Sequence, residues 1–395
     1  MQKAPSLWNR TIIYTFATTI MMIMGVASVT PILPTLTRVF EVPSSAANLI
    51  IVFFTVPGLL VTPLAGVIAD RWGIKRVLIP SLFLFSLGGV GCAFMPDFET
   101  FLFCRLLQGA GSGAFGVLTM TIISDSIEDQ NLRIKALGYN NSVMSIGSAC
   151  IPLLAGFLAG ISWKLPLLLS GTAFPLAILM WFTMKMPAYH STQPDLSLGG
   201  YLKATGRAIM QPEVRYLLLF TVINFVVIFG PLVTFYPELA DSKFHALPFE
   251  IGLVMSASSL GTMIVASQIS RILRRIESRT AMIIGFMSFG LGLVSLPFMP
   301  GLLWAIIPIF IMGLGQGVVA PTSMGCLLAR APYEQRSGVL AANGTLIRLA
   351  QSLGPLAFGL VYAGLGIEAV FYIGGSLALF TCVLIYRGMA NRNVC

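Results

Sequence analysis

Apolar residues run through this chain in long uninterrupted blocks, each of 20 or more residues. About 20 helical residues cross the roughly 30 Å hydrocarbon core of a bilayer, at about 1.5 Å per residue. A dozen such blocks cannot share the core of one soluble domain. The sequence therefore predicts an all-α membrane protein with twelve transmembrane helices. We place them near residues 11–36, 46–69, 76–96, 99–123, 136–161, 164–186, 214–239, 249–271, 280–299, 301–327, 338–363 and 367–388.

Composition agrees with a membrane location. Of the 395 residues, 56% are hydrophobic and only 10% are charged, and the mean hydropathy is +0.87. A soluble domain carries about 25% charged residues and would aggregate with so few. His190 and His245 both fall in predicted loops, and no predicted span holds a histidine or an acid at its midplane. We therefore expect no metal site, no cofactor and no enzyme activity.

The basic residues predict the orientation of the bundle. With a cytoplasmic N-terminus, 19 of the 24 Lys and Arg residues fall on cytoplasmic segments. Arg38, Lys164 and Lys243 fall outside, whereas Arg105 and Arg348 fall within spans. This asymmetry is the positive-inside pattern, and it places both termini in the cytoplasm. No exposed segment is long enough to gather these charges into a nucleic-acid-binding domain.

The two halves of the chain repeat each other at an offset of about 203 residues. The matched pairs are Pro34 and Pro237, Gly58 and Gly261, Arg71 and Arg274, Arg76 and Arg279, Asn140 and Asn343, Pro152 and Pro355, and Gly156 and Gly359. Two six-helix repeats related by an axis along the membrane normal are an arrangement of secondary transporters, which bind substrate between the halves near the midplane. The longest polar stretch separates these repeats. We predict an N-terminal bundle over 1–186, a cytoplasmic linker over 187–213 and a C-terminal bundle over 214–395.

The loop between spans 2 and 3 has a pattern of glycine, acid and basic residues with a physical reading. It runs Gly66-Val-Ile-Ala-Asp70-Arg71-Trp-Gly73-Ile-Lys75-Arg76. Gly66 permits close helix approach, Gly73 permits a tight turn, and Asp70 can dock on the positive N-terminal end of span 11 near Gly338. Such a contact would lock the two halves together while the cytoplasmic side is shut.

This loop resembles the G-x-L-a-D-r-x-G-r-k signature of the major facilitator superfamily, and the resemblance extends over the whole chain. Ile74 departs from it, and Arg76 stands in for the missing basic residue. In span 4, Arg105, Gln108 and Gly109 resemble the family's R-x-x-q-G-x-g element. Asp125, at the end of span 4, is similar to an acid that the family pairs with the basic loop.

Span 5 resembles the g-x-x-x-G-P-x-x-G-G element of proton-coupled antiporters, chiefly drug exporters. Gly147, Pro152 and Gly156 match it, whereas two further glycine positions are Ile151 and Ala155. Span 11 carries a second copy with Gly354 and Pro355. The pattern is typical of a kinked helix with a smooth face that slides against its neighbour, and ordinary small-residue packing is the alternative.

Two guanidinium groups lie well inside the predicted spans. A buried charge costs about 2.5–3.5 kcal/mol on insertion scales, so each calls for a role. Arg105 has Gln108 three residues away on its helix face, and Arg348 has Gln351 at the same spacing. For Arg105, a structural or gating role and a ligand contact are both open. For Arg348, we expect a ligand contact, and a packing role paired with a backbone carbonyl is the alternative. Further candidates for the substrate cavity are Asn224, Tyr236, Gln316, Met24 and Phe115.

Two functions remain open from the sequence. The resemblance implies a proton-coupled efflux permease for drugs or amphiphilic metabolites, working by alternating access and driven by the proton gradient. The alternative is a carrier of an organic anion or lipid-like acid that uses Arg105 and Arg348, because all 15 carboxylates map to loops or span ends. Asp70, Asp125, Glu238 and Asp241 are the candidates for proton binding. We expect a monomer in a bacterial inner membrane that contacts only its small-molecule substrate and lipid.

Overall fold

The computed structural model describes residues 9–127, 129–184, 209–330 and 336–388, without the side chains of Asp70, Asn131, Ile134, Arg336 and Ser337. Twelve helices in this part are long and apolar enough to cross a membrane. They are α1 (Arg10–Val39), α2 (Ser44–Ala69), α3 (Ile74–Cys92), α4 (Phe98–Ser126), α5 (Lys135–Ala159), α6 (Leu165–Thr183), α7 (Pro212–Phe244), α8 (Pro248–Ala266), α9 (Ser278–Phe298), α10 (Leu302–Arg330), α11 (Gly338–Leu365) and α12 (Ile367–Gly388). The predicted number of spans is confirmed.

Local sequence signals set several of the helix ends. Asn9 and Asp97 accept hydrogen bonds from the third backbone N–H after them, which caps α1 and α4. Gly73 has φ of +90°, a conformation that side chains other than glycine rarely adopt, and it forms the turn between α2 and α3. Inside α7, residues Ile228–Phe235 form a π-helical segment around Pro231, where the missing proline N–H interrupts the regular ladder.

The twelve helices form two pseudo-symmetric bundles of six. The C-terminal bundle has one hydrophobic core, of buried residues between Val214 and Ile385. The N-terminal bundle has three, of buried residues between Ile12 and Met184. The helix pairs that pack most extensively also repeat: α2 with α4 and α3 with α4 in one half, α8 with α10 and α9 with α10 in the other. The internal repeat therefore folds as the sequence predicts.

Close approaches between helix backbones also repeat, at an offset of 204 residues. A Cβ on Gly109 would lie 2.0 Å from the carbonyl oxygen of Phe54, and one on Gly313 would lie 2.0 Å from that of Ser258. Each glycine thus lets α4 or α10 touch the backbone of α2 or α8.

The predicted linker over 187–213 lies mostly outside the described part of the chain. Residues 187–208 of the predicted linker lie outside the described part, and α7 begins at Pro212. The predicted boundaries of the two bundles stay predictions. We call the end of the bundle where α1 begins and α12 ends the terminal end, and the other end the opposite end.

Candidate functional site

An ion pair joins the two halves at the opposite end. The Arg38 guanidinium, at the end of α1, donates to both carboxylate oxygens of Asp241 in α7, at 3.2 Å each. The two residues are 203 positions apart, which is the repeat offset, so the pseudo-two-fold axis brings equivalent positions face to face with opposite charge.

Further contacts between the halves lie towards the same end of the bundle. The Asn48 side-chain amide of α2 donates to the carbonyl of Pro355 in α11, at 3.2 Å. On the other side of the pseudo-axis, α5 lies against α8, where a Cβ on Gly156 would be 2.4 Å from the carbonyl oxygen of Pro248. A Cβ on Gly252 would be 2.3 Å from that of Pro152. We call these contacts, together with the Arg38–Asp241 pair, the opposite-end gate.

Further contacts between the halves reach the middle of the bundle. Thr55 and Ser352 share a hydrogen bond of 2.8 Å, and the Ser256 hydroxyl donates to the carbonyl of Ala149 at 2.6 Å. One turn further from the gate, the Arg348 stem packs against Gly58, 3.3 Å from the position of a Cβ there.

Beyond this level the halves diverge. Gly344 lies four residues before Arg348, on the same face of α11, and a Cβ on it would meet no atom within 4 Å. On α5, Asn141 lies about two turns further from the gate than Ala149 and is exposed. The bundle is therefore closed at the opposite end and open between α2, α5, α8 and α11 at the terminal end.

Arg348 lies where this opening ends. Its side chain is half-buried, and its Nη1 donates to Oε1 of Gln351 at 3.4 Å. No carboxylate is recorded within 4 Å of it among the described side chains. Arg348 is thus a half-buried cation at the contact between α2 and α11, and Gln351 is a weak hydrogen-bond partner of it.

Arg105 occupies a different environment. It is fully buried, and its Nη1 donates to the carbonyl of Gly25 at 2.9 Å and to Oε1 of Gln108 at 2.6 Å. Its Nε donates to the carbonyl of Ile50 at 3.2 Å, and the guanidinium carbon lies 4.5 Å from the Phe54 ring centroid. In this conformation, Arg105 ties α4 to α1 and α2 and does not reach the opening.

The α1 carbonyl that Arg105 binds lies at a break in that helix. The N–H of Val29 donates to Val26 rather than to Gly25, because α1 changes to a 3-10 turn at Thr30–Ile32. The guanidinium therefore satisfies a carbonyl that the helix itself leaves unpaired, a common device where spanning helices break.

The remaining predicted cavity residues divide by exposure. Gln316 is half-buried like Gln351, whereas Gln108, Asn224, Tyr236, Met24 and Phe115 are buried. Met24 and Phe115 belong to a hydrophobic core of the N-terminal half. In this conformation, these five do not open to the space between the halves.

Unpartnered polar atoms concentrate in the C-terminal half. Within the described part, buried side-chain oxygens without a hydrogen-bond partner belong there to Asn224, Tyr236, Gln316, Thr322 and Asn343. The two halves differ at one equivalent pair: Oδ1 of Asn140 accepts from Thr19 at 2.7 Å, whereas position 222, the equivalent of Thr19, is a valine. The C-terminal half thus has the greater unused capacity for polar contacts.

The predicted gating loop lies at the terminal end. Arg71 and Arg76 are exposed, and the side chain of Asp70 lies outside the described part. The Lys75 ammonium donates to the carbonyls of Trp181 and Met184 at 2.6 and 3.0 Å, so it caps the end of α6.

The second half contains an equivalent basic cap. Arg279 donates to the carbonyl of Tyr386 at 2.7 Å, near the end of α12. Gly66 is close only to Val117 of α4, at 3.6 Å from a Cβ position, and Asp125 is exposed at the end of α4.

The glycine–proline elements of α5 and α11 lie at helix contacts. Pro152, Gly156 and Pro355 take part in the opposite-end gate. Gly147 faces Ile23 of α1, in the N-terminal half. Gly354 faces the carbonyl of Val226 in α7, in the C-terminal half. Neither contact joins the two halves.

The sequence did not predict several residues that make contacts between the halves. They are Arg38, Asn48, Thr55, Gly252, Ser256 and Ser352. The Arg38 contact could have been predicted from two features. Arg38 is one of three basic residues on the side of the membrane where such residues are scarce, and the repeat-equivalent position is an acid, Asp241. The contacts of the neutral residues could not have been predicted, because they depend on helix placement.

Comparison with known proteins identifies the family. The family model described as Major Facilitator Superfamily matches residues 15–332 and 217–392. The chain belongs to the major facilitator superfamily. The opening lies between the two repeats, which is where secondary transporters built from repeats bind their substrates.

Relatives with drug-resistance names cover nearly the whole chain. Multidrug resistance protein 2 of Bacillus subtilis (strain 168) is 24% identical over 361 residues, 89% of this chain and 88% of the relative. The class B tetracycline resistance protein of Escherichia coli is 24% identical over 355 residues, 87% of this chain and 86% of the relative. The crystal structure of the nucleoside transporter NupG superposes with a TM-score of 0.76, at 13% identity over 95% of this chain and 99% of NupG. The last comparison speaks for the fold alone.

Proposed function

We propose that this major facilitator protein exports amphiphilic organic molecules in exchange for protons, by alternating access. The observation that carries the proposal is the asymmetry of the contacts between the halves. They seal the opposite end down to Gly58 and Arg348, while Gly344 faces open space. Rocking of one rigid half against the other would close the terminal end and open the gate, which is how repeat-built transporters expose one site to each side in turn.

Drug export is favoured by the relatives and by the composition of the chain. Relatives that span nearly all of the chain bear multidrug and tetracycline resistance names. The chain also holds 19 Met and 27 Phe residues, and side chains of this kind adapt to apolar substrates of varied shape.

Vesicle transport tests the proposal directly. Inside-out vesicles containing the chain, with an acidified lumen, should accumulate amphiphilic dyes and tetracycline-like compounds. An ionophore that collapses the pH gradient should reduce uptake to that of vesicles lacking the chain. Uptake that ignores the pH gradient, or that occurs only in right-side-out vesicles, would contradict proton-coupled export.

Arg348 supports a second candidate function, transport of an organic anion or lipid-like acid. It is half-buried at the end of the opening, and among the described residues its guanidinium donates only to Gln351, at 3.4 Å. A guanidinium in this position suits a carboxylate, which it can bind through two parallel hydrogen bonds. Arg105 does not support this function here, because its guanidinium is fully buried and its Nε and Nη1 donate to Gly25, Ile50 and Gln108, which leaves only a buried Nη2 without a partner.

Replacement of Arg348 separates the two candidates. With R348Q, the transport affinity for an anionic amphiphile should fall about tenfold or more, since a hydrogen bond to a charged group contributes about 1.5–3 kcal/mol. Affinity for a cationic amphiphile of the same size should not fall. R387Q removes the same charge from the exposed end of α12 and serves as the control. Equal loss for both substrates would count against the anion carrier.

Orientation and assembly follow from the same proposal. We infer that the terminal end faces the cytoplasm of a bacterial cell, with both termini inside, because most basic residues lie on that side. We also propose a monomer, because α1–α6 and α7–α12 of one chain lie on the two sides of the opening.

A further inference from the structure

Glu238 is a buried acid at the opposite-end gate. It lies six residues before the end of α7 at Phe244, and 8% of its surface is exposed. Among the residues whose side chains the structure describes, it is the only acidic one that is buried. A carboxylate in such a place loses most of its hydration, so its ionised form needs a nearby positive charge.

Hydroxyl groups are the direct neighbours of this carboxyl. The Tyr362 hydroxyl of α11 donates to Oε1 of Glu238 at 3.5 Å. The Ser44 side chain, at the start of α2 in the other half, is an electrostatic neighbour of Glu238. The end of α7 that holds Glu238 packs against the end of α1 in the other half, so separation of the halves at this end would expose Glu238 to water on the opposite side.

The positive charges nearby are committed to other groups. Arg38 of α1 lies within electrostatic range of Glu238, as does Asp241 of α7. Both Arg38 hydrogen bonds go to the two oxygens of Asp241. The Lys243 ammonium donates to a backbone carbonyl at the end of α9. Arg38, Asp241 and Glu238 thus form a group of one guanidinium and two carboxyl groups, and this group is neutral only when one of the two carboxyl groups carries a proton. Both oxygens of Asp241 accept from Arg38, so Glu238 is the carboxyl that takes the proton.

We propose that Glu238 is a proton-binding site, and that a proton taken up from the opposite side favours closure of the opposite-end gate. This assignment rests on the proposed proton-coupled function and adds a residue through which the pH on the opposite side acts on the gate. The step is a proton transfer from hydronium to the exposed carboxylate, which leaves water and a neutral carboxyl. The neutral carboxyl can then be buried beside Tyr362 and Ser44.

The direction of this coupling suits export. With the gate open, Glu238 meets the opposite-side solution, and protonation drives the molecule to the state that is open at the terminal end, where cargo would enter. Loss of the proton makes burial of the carboxylate costly and favours the gate-open state. One proton bound more strongly in the closed state changes the closed-to-open ratio by at most about tenfold per pH unit.

Spin-label distances across the gate test the assignment without any substrate or gradient. Labels at the exposed positions Val39 and Leu247, one in each half, report gate opening in nanodiscs from pH 5 to pH 9. In the otherwise unchanged protein, the closed fraction should rise as the pH falls. In E238Q, which is permanently neutral, the gate should stay mostly closed at every pH. E99Q changes an exposed acid at the same end and should keep the full pH response.

Each outcome bears on one proposal. An E238Q variant that keeps the pH response, or whose gate stays open, would overturn the role of Glu238. If E238Q abolishes the pH response while vesicle transport proves independent of the pH gradient, the proton site stands and proton-coupled export fails. Correct folding of E238Q is checked by an unchanged closed-state distance.

Discussion

Valine in place of Gly156 should abolish transport and hold the opposite-end gate open. A Cβ at this position would lie 2.4 Å from the carbonyl oxygen of Pro248 and 2.7 Å from the Cα of Phe249. Both are backbone atoms, so α5 and α8 must separate to admit the side chain. Overpacking of this kind costs about 1–3 kcal/mol, which lowers the closed-to-open ratio about 5- to 150-fold. Vesicle uptake and the Val39–Leu247 label distance measure the two effects.

Two glycine variants serve as controls for this prediction. Gly138 lies on the same helix, and a Cβ there would meet no atom within 4 Å; G138V should therefore transport normally. Gly359 is the repeat equivalent of Gly156, but a Cβ there would meet the side-chain amide of Asn48. Because a side chain can move aside, G359V should have a smaller effect than G156V. Equal behaviour of G156V and G138V would show that the α5–α8 contact does not control the gate.

Removal of the Arg105 side chain should destabilise the N-terminal half and stop transport. Three hydrogen bonds from a charged group are lost, each of about 1.5–3 kcal/mol. The relief of a buried charge returns about 2.5–3.5 kcal/mol. The balance is a net loss of a few kcal/mol for R105A, together with an unpaired carbonyl at Gly25 where α1 breaks. Thermal unfolding in detergent should begin at lower temperature, and uptake should fall at least as far.

An exposed arginine provides the comparison. R215A removes the same side chain at the start of α7, where it is exposed, and should change neither unfolding nor uptake. R105K keeps the charge but has no planar fork, so it should rescue only part of the stability. A stable R105A protein that loses uptake of one substrate class alone would instead assign Arg105 to ligand binding.

The sequence predicted the fold well because the relevant signals are local or periodic. The span near 280–299 and α9 at Ser278–Phe298 agree within two residues, since hydropathy depends only on the residues of that segment. The repeat was legible because glycines such as Gly109 and Gly313 perform the same backbone approach in each half.

The candidate site was less predictable, as its arginines illustrate. Arg105 and Arg348 look alike in sequence, with a Gln three residues on, yet one is enclosed by α1 and α2 and the other lies at the open interface. Spacing along a helix fixes which residues share a face, but not what that face meets. Lys75 similarly belongs to the predicted gating loop, and in the structure it caps α6 within its own half.

The amino-acid sequence by itself determined the twelve spans, the duplication and the family, because apolar length and repeated motifs are written in the order of residues. Only the tertiary structure decided which end of the bundle is shut, that Arg38 meets Asp241, and that Glu238 is buried beside them. Those features arise where two separately folded halves touch, and contacts between rigid bodies depend on their relative placement rather than on any one segment.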